Sequence, residues 1–258
     1  MAKTEQGLHQ SANRSMRNNP MAPPIPVLTP HQELALLARM LWREGYDDHL
    51  SGHITFRDDD GTLLANPFGL PWDEIRASDV MRIDLDARPL EGQWTVTPAI
   101  TLHTELHKAR HDVRWAVHNH PVWGTIWCNV QRVPPVYDQT SAELIDDVAL
   151  HDEFDGPVQD IANAKACVEA LGDKPVALLA NHGVFVVAEN VAKAYHRAST
   201  LEWRCRNAWR TEAIGGGVTL RPEVARSFGS LFDTPVAFPG LWEAMVRREL
   251  RLDGAVLD

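Results

Sequence analysis

Val113-Arg114-Trp115-Ala116-Val117-His118-Asn119-His120 is the stretch on which the reading of this chain turns. Val113, Trp115 and Val117 alternate with Arg114, Ala116 and His118, the period of two that marks a buried strand. Residues i and i+2 of a strand face the same way, so His118 and His120 can reach one ion. Zinc-like ions accept imidazole nitrogen at about 2.0–2.1 Å and commonly take a further ligand from a distant segment. Asn181-His182-Gly183 can supply it. It lies between two β-rich runs, 176–180 and 184–187, and the glycine beside the histidine permits a tight turn at their tip. Histidine is also the compositional oddity of the chain, with 12 in 258 residues.

Outward from this strand the pattern alternates between helix and strand. Thr29-Pro30-His31-Gln32 reads as a capping box with Pro at the first helical position. Leu34, Leu37, Met40 and Leu41 follow as an apolar face, and Gly45 stops the helix. Period two returns at Ile54 and Phe56 against His53, Thr55 and Arg57, then a turn at 58–61 and a strand from Thr62. Residues 81–86 alternate again. Helical patterning is expected over 100–111, after Pro121, over 159–171 and over 191–209. Strands joined mostly as hairpins and flanked by helices imply a three-layer α/β/α domain with a largely antiparallel sheet. Residues 1–28, polar and then Pro-rich, read as a flexible tail, and 29–258 as one domain.

Composition removes several function classes. The 25 Lys+Arg against 35 Asp+Glu give a formal charge of −10, the wrong sign for neutralising nucleic-acid phosphates. No apolar run approaches the roughly 18 residues of a membrane span. Cys128, Cys167 and Cys205 are few, odd in number and widely spaced, so a reducing cytoplasm is the expected setting.

Competing motifs are weaker. His103-Thr104-Glu105-Leu106-His107 has helical i, i+4 histidines, but its glutamate is misplaced for a metalloprotease. Both histidines read as helix-face residues or supports for the ligands. Gly215-Gly216-Gly217 follows a helix and reads as its terminator, not a phosphate loop. Cys128 reads as a buried small hydrophobe. Trp123 and Trp127, one helical turn apart just after the histidines, are candidates to wall a pocket.

On these residues the chain resembles the class II aldolase/adducin family. The matching segments are 52–57, Asn66-Pro67-Phe68-Gly69, 72–79, 103–110, 116–120, 137–156 and 179–187, in order over about residues 29–210. The resemblance implies an α/β/α fold and a fourfold-symmetric homotetramer with active sites between subunits. It also implies one divalent ion per chain, commonly zinc or manganese and in some members iron, held by His118, His120 and His182. Family members include sugar-phosphate aldolases, decarboxylases of aromatic dicarboxylates, an iron oxygenase and the metal-free adducins.

The departures from the family pattern narrow the activity. The acid/base glutamate of the fuculose-phosphate aldolases falls at Ala99, which cannot transfer a proton. In the phosphate pocket the family's asparagine is His53, its small hydroxyl residue is Phe68 beside Gly69, and its paired serines are Thr97 and Pro98. A phosphate dianion needs several converging donors, which Phe and Pro side chains lack. The expectation is therefore a metal-dependent lyase acting on a small non-phosphorylated carboxylic acid, foremost decarboxylation of a hydroxy-aromatic or heteroaromatic acid. Tyr137 is the candidate proton donor, and His53, Phe68, Gly69, Thr97 and Trp123 are candidate substrate contacts. Aldol cleavage of a hydroxy-keto acid, iron-dependent oxygenation and a non-catalytic adducin-like module are the alternatives.

Overall fold

Thr29 opens the first helix reciprocally. Its hydroxyl accepts the Gln32 N–H at 3.3 Å and its own N–H is accepted by the Gln32 side chain at 3.0 Å, an arrangement that satisfies two otherwise orphaned donors. The resulting α1 (Pro30–Trp42) buries Leu34, Leu37, Met40 and Leu41. This computed structural model describes residues 22–154, 156–232 and 238–258. Most of the expected tail, residues 1–21, lies outside them, while Ile25 and Leu28 pack against the core.

The strands are β1 (His53–Arg57), β2 (Leu63–Ala65), β3 (Met81–Ile83), β4 (Pro89–Glu91), β5 (Trp115–Asn119), β6 (Val148–His151), β7 (Val176–Leu179) and β8 (Gly183–Ala188). The remaining helices are α2 (Thr101–Ala109), α3 (Val122–Asn129), α4 (Ile161–Leu171), α5 (Val191–Ala213), α6 (Pro222–Gly229) and α7 (Leu241–Leu252). The eight strands form one sheet in the order β4-β3-β2-β1-β5-β8-β7-β6. Its pairings among the described residues are antiparallel except β6–β7. Pro89 sits on the outermost strand, where its missing N–H costs no ladder bond.

Alternation along the strands divides the core into two layers. Ile54, Phe56, Trp115, Val117, Val184 and Val186 face a cluster shared with α1, α3, α5 and α7. Ala116, Phe185 and Val187 face a second cluster with Leu102 and Leu106 of α2 and Val168 of α4. Helices thus cover both faces of a mainly antiparallel sheet, the α/β/α architecture expected.

Some boundaries differ from the sequence reading. The strand expected over 81–86 stops at Ile83, because the Asp84 carboxylate accepts the Asp86 and Arg88 N–H groups and turns the chain. The polar positions of β1 do not face water: His53 and Thr55 are buried under α2. The helix expected to end near 209 continues to Ala213, and Gly215 and Gly216, both at positive φ, follow its end. Elements β4, β6, α6 and α7 carry no counterpart in the sequence reading.

Candidate metal centre

The antiparallel register of β5 and β8 sets His118 opposite Phe185 and brings the turn before β8 alongside the end of β5. There His118, His120 and His182 converge, with one ligand nitrogen from each, all within 4.8 Å of one another. Ring centroids lie 4.6–5.0 Å apart. The rings of His118, on β5, and His120, directly after it, each have their outer nitrogen occupied. His118 Nδ1 donates to the Val184 carbonyl at 2.9 Å and His120 Nδ1 to the Asp48 carboxylate at 2.8 Å. That leaves Nε2 of each as the lone pair, and His120 Nε2 is buried with no partner among the described residues. Burial, reinforced by the neighbouring imidazoles, holds His118 well below the usual histidine range and His182 at about 4. These rings are neutral at neutral pH, the state in which imidazole binds a metal. An orphaned buried nitrogen converging with two neutral imidazoles fits a divalent cation.

The glycine of the Asn181-His182-Gly183 turn is needed for space rather than for its φ. A Cβ at Gly183 would lie 2.5 Å from His120 Cδ2 and 2.6 Å from the Asn119 carbonyl oxygen, so only glycine lets β8 begin this close to the ligand strand. The left-handed residue of the turn is Asn181, at φ +52°, a conformation asparagine tolerates. Asn119, between the two histidines, points to the other face. It accepts the His120 N–H at 2.6 Å and donates to the carbonyls of Tyr46 and Ser51. The loop carrying Asp48 is thereby fastened to the ligand strand.

The surroundings are firm. Glu202 of α5 accepts the N–H groups of Trp123 and Gly124, both at 2.9 Å, and so holds the first turn of α3 directly after His120-Pro121. Burial raises the Glu202 carboxyl to about 7. Cys128 donates to the Gly183 carbonyl, and burial pushes its thiol to about 12, which makes it inert packing rather than a nucleophile. Phe154 approaches His182 with ring centroids 6.2 Å apart. A cleft of about 680 Å³ lies at the other end of β8, around Glu143, Lys193 and His196.

The other candidates fall in separate places. His53 joins the imidazole group, paired with His118 across the strands and 4.8 Å from it by ring centroid. It is buried, and that burial lowers its pKa well below the usual value, so the ring is neutral. Phe68 is half-exposed and its N–H bonds the Thr95 carbonyl, with Gly69 next to it at φ +104°. The Thr97 hydroxyl accepts the Ala99 N–H and caps the short turn ahead of α2. Trp123 meets Trp209 at 5.2 Å and carries Arg210 over its ring. Trp127 is buried and donates to the Cys205 carbonyl. Tyr137 packs beside Gly217. Asp48 had no sequence signal, since a loop carboxylate acquires its partner only through the fold.

Residues 32–209 match the family model described as the class II aldolase and adducin N-terminal domain. The chain belongs to that family. Similar proteins include the decarboxylase NovR of Streptomyces niveus, 32% identical over 200 residues and covering 76% of this chain and 74% of that one. A 4-hydroxy-3-prenylphenylpyruvate oxygenase/4-hydroxy-3-prenylbenzoate synthase of Streptomyces roseochromogenus subsp. oscitans is 31% identical over 200 residues, covering 76% and 72%. A 3,4-dihydroxyphthalate decarboxylase of Arthrobacter keyseri is 27% identical over 225 residues, covering 80% and 90%. An aldolase II superfamily protein of Pseudomonas syringae superposes with a TM-score of 0.81 at 25% identity, covering 95% and 100%. No helix among the described residues is long and apolar enough to cross a membrane.

Proposed function

We propose that this chain is a metal-dependent lyase that decarboxylates a hydroxy-aromatic or heteroaromatic acid carrying no phosphate. The observation that carries the reading is the pairing of a complete triad, His118, His120 and His182, with Ala99 at the place of the aldolase acid/base. Ala99 packs against the apolar cluster under α2 and offers no proton-transfer group. One relative named a decarboxylase and another named a 3,4-dihydroxyphthalate decarboxylase support the same reaction class.

The three imidazoles would hold the ion, zinc or manganese, through their free nitrogens. When bound, a divalent ion supplies Lewis acidity toward a carboxylate and its neighbouring oxygen. The chain's own contribution is to keep His118 and His182 neutral by burial, to fix the His118 and His120 rings through Val184 and Asp48, and to exclude water around His53. Loss of carboxylate as CO₂ leaves a carbanion that takes up one proton, so a donor must stand within hydrogen-bond reach. Tyr137 is the proposed donor, acting in a homotetramer whose sites lie between subunits. Phe68, Gly69, Thr97 and Trp123 complete the substrate surface in this reading. Phe68 and Pro98 provide no side-chain donors for a phosphate. A cytoplasmic setting goes with the three buried, unbridged cysteines.

The test is a product assay on the metal-loaded protein with hydroxy-aromatic dicarboxylates, hydroxy-keto acids and dihydroxyacetone phosphate. CO₂ release from the first group, with little heat on titrating the phosphate, is the expected result. Aldehyde without CO₂ would replace decarboxylation by aldol cleavage. Oxygen uptake would replace it by the oxygenase chemistry for which one relative is named.

A further inference from the structure

A second concave site stands at the far end of β8. That strand begins at Gly183, beside the ligand histidines, and ends at Ala188, about 17 Å away at roughly 3.4 Å per residue. Val187 and Ala188 there border the cleft of about 680 Å³, together with α5, α6, the turn after α2 and the chain leading into β6. A space of that size suits a small organic ligand. No side chain of the metal centre lines it.

Its charges decide the sign of that ligand. Six carboxylates and four Lys or Arg side chains line the cleft, and each of the four cations is already matched within it. Arg110 lies 2.7 Å from Asp112, Arg226 lies 2.6 Å from Asp146, and Arg197 lies 3.2 Å from Glu189, which also pairs with Lys193. The lining therefore keeps a formal excess of two negative charges. An incoming carboxylate or phosphate is repelled and an incoming cation attracted. A bare metal ion does not fit, because among the described residues the cleft acids form no group of three close enough to hold one.

His196 is the second observation. It lines the cleft, and its side chain is only 10% exposed. Its Nε2 lies 2.5 Å from the Glu143 carboxylate, itself 7% exposed. With the hydrogen on Nε2 given to that carboxylate, a neutral imidazole leaves Nδ1 as a lone pair. Nδ1 has no hydrogen-bond partner among the described residues. The Phe232 ring, also in the lining, lies 5.9 Å from the His196 ring by centroid and stacks on Phe238 at 5.6 Å. An ammonium within about 6 Å of an aromatic face is attracted to it. Charge excess, buried acceptor and aromatic wall all ask for the same partner.

We propose that this cleft is a second ligand site, for a small organic amine carrying two ammonium groups. One ammonium donates to His196 Nδ1 against the Phe232 ring, and the excess carboxylates hold the other. Glu143 acts through His196, fixing the ring and its acceptor.

Titration calorimetry on the full chain at pH 8 tests this with 1,4-diaminobutane, butylamine and butanedioate as probes, on the protein as purified and again with a chelator. The diamine should bind one per chain with the same Kd in both states, butylamine at least tenfold more weakly, and butanedioate not at all. His196→Leu should weaken the diamine at least tenfold, the scale of a hydrogen bond to a charged group. Asp173→Asn, at an exposed position of the lining, should weaken it about threefold by removing one charge of the excess. An absence of saturable binding of the diamine overturns the proposal, as does equal affinity for the dianion. A Kd that changes when the metal is removed puts the amine at the metal centre and also overturns it. So does an unchanged Kd in Asp173→Asn, whether or not the leucine variant folds. Equal affinities for the two amines overturn the place of the second ammonium.

Discussion

Truncating Asp48 to alanine should weaken metal binding at a residue that touches no metal. Its carboxylate accepts His120 Nδ1–H at 2.8 Å, which fixes the ring's orientation and makes Nε2 a better donor. Burial works against the Asp48 charge, but hydrogen bonds from His49, His120 and Ser51 hold the carboxyl below its ordinary range. It is therefore ionised wherever the histidines are neutral. Removing such an outer carboxylate typically costs 10–100-fold in affinity. The Asp48 side chain is 34% exposed, and solvent screening places this pair at the lower end, about tenfold or 1.4 kcal/mol. Asp48→Asn keeps an acceptor oxygen but loses the charge, so its loss should be smaller, roughly threefold. Zinc competition against a chromophoric chelator at pH 7.5 measures both, with circular dichroism to confirm the fold. A folded Asp48→Ala protein that binds zinc as tightly as wild type would refute the assignment of Asp48 to His120, and equal losses in the two variants would refute the role of its charge.

Two further outcomes follow from other groups. Glu202 rises from 4.5 to about 7 on folding because burial penalises its charge, so its stabilisation is full below pH 4.5 and is lost as pH climbs through 7. The change amounts to about 3 kcal/mol, and urea unfolding between pH 5 and 8 should show a flatter pH dependence for Glu202→Gln than for wild type. Tyr137→Phe should lower turnover while leaving substrate affinity within about twofold, the pattern of a group used only in the transition state. A matched rise in Kd would make Tyr137 a binding contact instead.

The ligand strand, the hairpin carrying His182 and the capped first helix were legible because each rests on a local period or cap. What escaped the sequence depends on contacts between distant segments. His103 and His107 read as helix-face residues or supports for the ligands, and their full burial was not legible, because it comes from α2 lying over the polar face of β1, where Thr55 gives them a partner. Helix α7 has Trp242, Val246 and Glu249 on its buried side. The third is a charge, made tolerable only by Arg43 at 2.6 Å, and so the apolar stripe is broken. The parallel pairing of β6 with β7 is fixed by the α4 crossover and leaves no mark in a four-residue strand. Gly183 was legible as a residue of the turn, but its close approach to His120 follows from strand packing that no spacing rule expresses.

The site spans the seam between β5 and β8, and the chain between those strands contains α3, β6, α4 and β7. No unfolded chain holds those three imidazoles together, so a cation bound there is bound to the native state and stabilises it by mass action. Free ion at a hundred times its Kd adds about 2.7 kcal/mol, a sizeable part of the 5–15 kcal/mol that typically separates folded from unfolded domains. Metal supply would then govern how much of this protein survives in a cell as well as how fast each molecule works. Under scarcity the unloaded chains would open more often and be cleared first by proteases, matching the amount of protein to the metal available without any dedicated sensor.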